Sequence, residues 1–142
     1  MKILILCTGN SCRSQMAQGF LQSFDANLEV HSAGTKPAKH ISTRAIQAMK
    51  EIGINISHHT VKHVEQYLKS EWDYVITVCD NARETCPVFT GKVRNRLHFD
   101  FEDPSLVSGT DEHIMNVFRE VRNKIKNTLY EFYVKQIKTK NN

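Results

Sequence analysis

The segment with the clearest capacity for chemistry is residues 7–14, which read Cys-Thr-Gly-Asn-Ser-Cys-Arg-Ser. It joins an apolar run to a stretch with helical spacing, and a loop of this length can turn several backbone N–H groups inward. Gly9 is expected to relieve the steric cost of that turn. The following helix adds its positive end, and the planar guanidinium of Arg13 can bind two oxygens at once. The spacing therefore predicts a loop that binds a tetrahedral oxyanion.

Cys7 stands at the base of this loop and is the candidate nucleophile. Donors that hold an anion also favour the thiolate form of a cysteine, and Ser14 can donate a hydrogen bond to that sulfur. The alternative is that Cys7 is only a buried residue ending a strand, which the arginine six positions later disfavours. Cys12 is expected mainly to shape the loop, and it would be an oxidation liability if exposed. The residues expected to bind the oxyanion are Thr8, Gly9, Asn10, Ser11, Cys12 and Arg13.

Two further cysteines, Cys79 and Cys86, form a second candidate group. Their spacing is neither Cys-x-x-Cys nor a standard zinc pattern. On one continuous helix they would lie ~10 Å apart along the axis, whereas a disulfide needs Cα atoms within ~7 Å. A bond between them would require the segment to unwind or loop out. We therefore expect this segment to be mobile and lightly packed.

Strands and helices that alternate along the chain must position these residues. The expected strands are residues 2–6, 28–31, 72–78 and 96–99. The expected helices are residues 14–24, a second that Ser42 caps and Gly53 ends, a weaker one at 64–69, and a long one from Asp111 onward. Such alternation predicts parallel βαβ units, in which ligands bind at the carboxyl ends of the strands. Cys7 and Cys79 each follow a strand, so we expect both at one edge of one sheet.

Composition points to a cytoplasmic protein of one domain. The 142 residues are 40% hydrophobic and 24% charged, which is ordinary for a globular domain covering residues 1–142. No apolar run approaches the ~20 residues needed to cross a bilayer, and no signal-peptide pattern opens the sequence. In a reducing compartment the four cysteines are expected to be catalytic or redox groups and not permanent bridges.

The charge distribution argues against several other partners. Much of the net charge of +4 lies in residues 135–142, which we interpret as a frayed end. Without a basic stripe interleaved with aromatic residues, nucleic-acid binding is not expected, and no membrane contact is expected either. His58, His59 and His63 lie in a polar stretch, so we expect no metal there and no cofactor in the protein.

Beyond these local features, the chain resembles the thioredoxin-coupled arsenate reductases, which share the fold of the low-molecular-weight tyrosine phosphatases. Residues 7–17 are similar to the signature of that family, including Gln15 where the phosphatases usually have proline. The other segments that carry the likeness are His31-Ser32-Ala33-Gly34, Val78-Cys79-Asp80, Cys86-Pro87 and Phe101-Glu102-Asp103-Pro104. The likeness covers essentially the whole chain. It implies an α/β fold with a four-stranded parallel sheet flanked by helices on both faces.

The resemblance also implies a reaction. Cys7 attacks arsenate while Asp103 protonates the departing oxygen, and Cys79 then attacks the Cys7 sulfur and releases arsenite. Cys86 next attacks Cys79, and a thiol carrier, expected to be thioredoxin, reduces the resulting disulfide. Asp100 is a rival acid, and Asp103 is preferred because the Asp-Pro pair matches the family. Phosphate or sulfate is expected to occupy the same loop, and the protein is expected to be a monomer.

Two other functions stay open. A tyrosine or small-molecule phosphatase would use Cys7, Arg13 and Asp103, but such phosphatases usually place aromatic residues after the Asp-Pro pair, where this chain has Ser105-Leu106. A redox- or oxyanion-sensing module would need no turnover at all. The family pattern differs at Gln18, where members often carry a glutamate associated with bound potassium, and this difference argues against such an ion here.

Overall fold

The structure, a computed structural model, describes residues 1–80 and 91–139. Four strands form one sheet in the order β2-β1-β3-β4, and all neighbouring strands are parallel. The strands are β1 (Lys2–Cys7), β2 (Glu29–Gly34), β3 (Trp72–Thr77) and β4 (Val93–His98). The α-helices are α1 (Arg13–Phe24), α2 (Thr43–Lys50) and α3 (Asp111–Phe132). This topology confirms the four-stranded parallel sheet expected from the sequence.

The central strand β1 is buried on both faces, as its continuous apolar run indicates. On one face, Ile5 belongs to the main core together with Phe20 of α1 and Ile125 of α3. On the other face, Leu6 belongs to a smaller cluster with Val64, which begins the short 3₁₀ turn Val64–Tyr67. That turn replaces the weak helix expected at residues 64–69. Among the described residues, long helices therefore cover one face and a short turn covers part of the other.

Strand β2 runs further than the sequence indicated. Its last residues pair with β1 up to the register Cys7↔Gly34, although the expected strand stopped at residue 31. The end of β2 lies so close to the loop after β1 that only glycine fits, because a Cβ at Gly34 would lie 2.4 Å from the carbonyl oxygen of Thr8. The small residues of this segment let the strand approach the loop after β1, a requirement that the hydrophobic pattern does not reveal.

Strand β4 begins three residues earlier than expected, at Val93. It pairs with β3 alone and lies at the edge of the sheet. Its middle residues Arg94, Asn95 and Arg96 are exposed. Polar residues of this kind are common on edge strands, and they conceal the apolar pattern by which a buried strand is identified.

Helix α2 is bounded by the expected residues. The side chain of Ser42 accepts a hydrogen bond from the backbone N–H of Ala45 at 3.3 Å. Gly53 has φ +82°, and the Ile54 N–H donates to the Met49 carbonyl at 3.0 Å. This bond closes the turn after the helix in the manner of a glycine C-cap.

The end of the described chain is not frayed, so that expectation is wrong for residues 135–139. A π-helical segment, Tyr133–Lys138, continues from α3, and Ile137 is fully buried in the main core. Ile137 continues the apolar spacing of the long helix that the sequence predicts from Asp111 onward. No helix among the described residues is long and apolar enough to cross a bilayer.

Candidate active site

The loop between β1 and α1 is held in place by backbone hydrogen bonds. Its carbonyl groups accept hydrogen bonds from the segment that follows β2, and because N–H and C=O point in opposite directions across a trans peptide, the loop amides are left facing inward. The bonds join Thr35 N–H to Cys7 O at 3.3 Å, Lys36 N–H to Thr8 O at 2.9 Å, Ala38 N–H to Gly9 O at 2.9 Å and Ser42 N–H to Ser11 O at 2.9 Å. These bonds, made by residues some thirty positions later, fix the peptide groups of the loop, and the Asn10 N–H points to the Cys7 sulfur.

The sharp turn within the loop falls on Asn10 and not on Gly9. Asn10 has φ +52°, whereas Gly9 is not among the residues with positive φ. A Cβ at Gly9 would meet only the Ser11 hydroxyl, at 3.6 Å. The role expected for Gly9 is therefore wrong, because asparagine itself adopts the left-handed conformation more readily than other non-glycine residues.

Two hydrogen-bond donors converge on the sulfur of Cys7, which is 2% exposed. The backbone N–H of Asn10 lies 3.2 Å from Sγ, and the Ser14 hydroxyl lies 2.9 Å from it. Ser14 Oγ accepts from Asn10 Nδ2 at 2.7 Å, which leaves the hydroxyl proton available for donation to the sulfur. Both groups therefore lie within hydrogen-bond distance of the candidate nucleophile.

Gln15 and His59 form a chain of hydrogen bonds that ends on Asn10. The amide nitrogen Nε2 of Gln15 donates to the Asn10 carbonyl oxygen at 3.0 Å and to the Thr60 carbonyl oxygen at 3.0 Å, while Oε1 of Gln15 lies 3.1 Å from Nδ1 of His59. Burial, assisted by the nearby charges of His58 and Lys62, lowers the pKa of His59 to about 4. His59 is therefore neutral near pH 7, and its Nδ1–H donates to Gln15.

The sequence did not identify this support. The sequence pattern places His59 in a polar stretch and indicates Gln15 only as a residue shared with the family. The one available signal was a glutamine in the first turn of α1 beside the apolar Met16, since an amide on the buried side of a helix must find hydrogen-bond partners.

Arg13, the first residue of α1, is 2% exposed. Its Nη1 donates to the Phe101 carbonyl oxygen at 3.2 Å, and its Nη2 lies 3.4 Å from Oδ2 of Asp103. The guanidinium is thus anchored at the mouth of the loop, where its planar fork can bind oxyanion oxygens. The arrangement brings together the clamp and the acid, which are ninety residues apart in the sequence.

The two candidate acids differ sharply in position. Asp103 lies beside Arg13, and its Oδ1 accepts from the N–H and hydroxyl of Ser105 at 3.0 and 2.6 Å. Asp100 has a side chain that is 66% exposed and lies 2.5 Å from Nε2 of His98. Position therefore favours Asp103, the residue that the family resemblance indicated.

Cys79 lies at the same edge of the sheet as Cys7. It follows β3, the strand beside β1, and the Val78 N–H extends the pairing by donating to the Leu6 carbonyl at 2.9 Å. Cys79 is fully buried, and its Sγ lies 3.9 Å from the Leu6 carbonyl oxygen. Cys86, and the mobility expected between the two cysteines, lie outside the described residues.

Cys12 is 4% exposed, so the exposure that would make it an oxidation liability is absent. Burial, with the neighbouring Asp103 carboxylate as the next cause, raises the pKa of its thiol to about 12. It is therefore a protonated thiol, and its Sγ lies 3.8 Å from Oδ1 of Asp103.

Gln18, which stands where family members often carry a glutamate, is hydrogen-bonded within the protein. Its Oε1 accepts from the Ser32 hydroxyl at 2.6 Å and its Nε2 donates to the Val30 carbonyl oxygen at 3.3 Å. The amide is satisfied within the protein and brings no negative charge. Within residues 1–80 and 91–139, no group of three or more His, Cys, Asp or Glu side chains is arranged to hold a metal ion.

Known proteins share both the sequence and the fold. An arsenate reductase from Halalkalibacterium halodurans is 43% identical over 131 residues, which cover 92% of this chain and 93% of that protein. A solved arsenate reductase in the phosphate-binding state matches with a TM-score of 0.79 and 31% identity, covering 94% of this chain and 97% of that one. A thioredoxin-dependent arsenate reductase from Corynebacterium glutamicum matches with a TM-score of 0.62 and 27% identity, covering 95% of this chain and 63% of that one.

The family model of the low molecular weight phosphotyrosine protein phosphatases matches residues 2–142. Its match spans the loop, both candidate acids, Cys79 and Cys86. The chain therefore belongs to the low molecular weight phosphotyrosine protein phosphatase family, and within that family it groups with the arsenate reductases.

Proposed function

We propose that this protein reduces arsenate to arsenite, with Cys7 as the nucleophile and Cys79 and Cys86 as a disulfide relay that thioredoxin regenerates. The observation that carries the proposal is the pair of donors on the Cys7 sulfur at the mouth of a loop shared with Arg13 and Asp103. The likeness to arsenate reductases supports arsenic as the substrate element.

In the first step, the Cys7 thiolate attacks the arsenic atom of arsenate. The loop amides and Arg13 hold the remaining oxygens, where they stabilise the charge of the transition state. An As–S bond forms and an As–O bond breaks, and Asp103 protonates the departing oxygen so that it leaves as water. No oxidation occurs in this step.

In the second step, Cys79 attacks the Cys7 sulfur as a thiolate. The As–S bond breaks and its electron pair stays on arsenic, which is thereby reduced from As(V) to As(III) and leaves as arsenite. The two sulfurs are oxidised to a disulfide and supply the two electrons that arsenic gains. The burial of Cys79 on the strand beside β1 supports this role.

In the third step, Cys86 attacks Cys79, releases the Cys7 thiolate and forms a Cys79–Cys86 disulfide. Thioredoxin then reduces that disulfide by thiol exchange, an assignment supported by the thioredoxin-dependent relative from Corynebacterium glutamicum. Such a cycle suits a monomer of one domain in the reducing cytoplasm, where the cysteines start as thiols.

Single-turnover thiol counting tests the relay. With arsenate and no external reductant, the four thiols should fall by two for each arsenite released. The Cys86→Ser variant should still release one arsenite and retain a Cys7–Cys79 disulfide, while multiple turnover with thioredoxin, thioredoxin reductase and NADPH stops. Cys79→Ser should release none. Sustained thioredoxin-linked turnover by Cys86→Ser would exclude the relay.

The second candidate function is phosphate monoester hydrolysis, favoured by the family model and by the Cys7, Arg13 and Asp103 set. Phosphate and arsenate have the same shape and charge, so a low rate on an aryl phosphate is expected. The residue after the Ser105 turn is Leu106, which is 62% exposed and gives no aromatic ring to stack on a substrate. Fast aryl phosphate hydrolysis that survives Cys79→Ser would favour this function over reduction.

A further inference from the structure

The Cys12 thiol takes no part in the proposed relay, and its contacts indicate a different role. It lies inside the protein at the start of α1, and its side chain makes no capping hydrogen bond to the helix. Its Sγ lies 3.8 Å from Oδ1 of Asp103, which belongs to a segment ninety-one positions later in the chain. Since the buried thiol keeps its proton, the S–H group is a donor and the carboxylate oxygen is its acceptor.

Three donors therefore meet on one oxygen of Asp103. Besides the Cys12 thiol, Oδ1 accepts from the Ser105 N–H at 3.0 Å and from the Ser105 hydroxyl at 2.6 Å. A proton placed on Oδ1 would be directed against these donors, so the transferable proton is confined to Oδ2. That second oxygen lies on the side of the oxyanion clamp, 3.4 Å from Nη2 of Arg13.

A bound oxyanion changes what surrounds Oδ2 without changing what surrounds Oδ1. A doubly charged arsenate competes for the Arg13 guanidinium, which in its absence faces Oδ2. The Cys12 and Ser105 donors, by contrast, are directed to Oδ1. The carboxyl group thus keeps one fixed oxygen while the other becomes available to carry a proton toward the substrate.

We propose that Cys12 and Ser105 are positioning residues for the acid step: together they hold Oδ1 of Asp103 so that Oδ2 delivers the proton to the departing arsenate oxygen. This inference rests on the proposed function. In the step, the As–S bond to Cys7 forms, the As–O bond breaks, and the proton leaves Oδ2 on the oxygen that departs as water. Cys12 and Ser105 exchange no electrons and lose no protons.

The test compares variants that remove or retain the donors. The measured quantity is the single-turnover rate of arsenite release at saturating arsenate. Cys12→Ala and Ser105→Ala should each lower this rate about fivefold, a small part of what a general acid typically contributes. Cys12→Ser, which keeps a donor, should stay within about twofold of the original protein. Ser108→Ala, the same change at an exposed position of the same segment, serves as the control.

Two readouts separate positioning from a loss of structure. The rate of Cys7 alkylation by iodoacetamide and the KM for arsenate should not change in these variants. In an Asp103→Asn background, Cys12→Ala and Ser105→Ala should lower the rate by less than about 1.5-fold, because the group that they position has been removed. Ser105 is exposed, so its variant keeps the test valid if Cys12→Ala fails to fold.

Several results would overturn the inference. Cys12→Ser as slow as Cys12→Ala would indicate that the sulfur and not the donated hydrogen bond matters. A full fivefold loss from Cys12→Ala or Ser105→Ala on top of Asp103→Asn would place these residues outside the acid step, while the role of Asp103 itself stands. An Asp103→Asn variant as fast as the original protein would instead remove the acid role in the proposed function, and this inference with it.

Discussion

The hydroxyl oxygen of Ser14 lies 2.9 Å from the sulfur of Cys7 and simultaneously accepts a hydrogen bond from Asn10 Nδ2. Because the bond from Asn10 uses an acceptor site of the hydroxyl, the Ser14 proton remains available for donation to the sulfur. The Ser14 hydroxyl that contacts Cys7 is therefore oriented by Asn10, whose backbone adopts the left-handed conformation.

Ser14→Ala should slow alkylation of Cys7 at neutral pH by about three- to tenfold, because one hydrogen bond to a charged group contributes about 1 kcal/mol or somewhat more. Iodoacetamide labelling followed by mass spectrometry measures the rate. Ser23→Ala is the matched control, since Ser23 lies on the same helix and bonds only to the Phe20 carbonyl. Equal labelling rates for both variants would contradict the assigned direction of the Ser14 bond.

Asn10→Ala should lower the free energy of unfolding by about 2–4 kcal/mol, because it combines left-handed strain with the loss of buried hydrogen bonds. Asn10→Gly should recover about 1 kcal/mol of that loss, since glycine removes only the strain. Urea denaturation measures both. The remaining deficit reports the bonds to Ser14 and to the Lys62 N–H. A glycine variant as stable as the original protein would mean that those side-chain bonds contribute nothing.

Gly34→Ala should lower the free energy of unfolding by more than about 2 kcal/mol, because its Cβ would meet the Thr8 carbonyl at 2.4 Å, and backbone on both sides must move. Gly9→Ala is the control, with a nearest contact of 3.6 Å and no positive φ. Its free energy of unfolding should change by less than about 1 kcal/mol. The opposite order of the two losses would contradict the close approach of β2 to the loop.

His59 should make stability depend on pH between about pH 6.5 and pH 4. Its pKa is lowered from 6.5 to about 4 in the folded chain, so the unfolded chain binds an extra proton within that window. Stability contributed by neutral His59 is therefore complete above pH 6.5 and is lost as the pH falls toward 4. His59→Gln, which keeps a donor for Gln15, should flatten this part of the stability profile.

Urea unfolding at intervals of half a pH unit measures that profile. His113→Gln, at an exposed position of α3, provides the comparison and should leave the slope in place. A profile for His59→Gln that falls as steeply as that of the original protein would mean that other groups carry the acid sensitivity.

Much of the fold could be read from local patterns. The apolar run of β1, the helical spacing after the loop, Ser42 and Gly53 each report the conformation of their own backbone, because burial and capping act over a few residues. Where local polarity misled, as in the exposed edge strand β4 and in the tail that Ile137 anchors, contacts with distant parts of the chain outweighed it.

By itself, the sequence determined the chemical groups of the site and the edge of the sheet at which they gather. A cysteine that ends a strand and an arginine that begins the next helix lie close together when a short loop joins the two elements. Only the tertiary structure decided that Asn10 and not Gly9 makes the turn, that Gln15 and His59 support it, and that Asp103 and not Asp100 faces Arg13. These choices depend on which polar atoms meet across segments far apart in the chain, and strand register and helix packing set those distances.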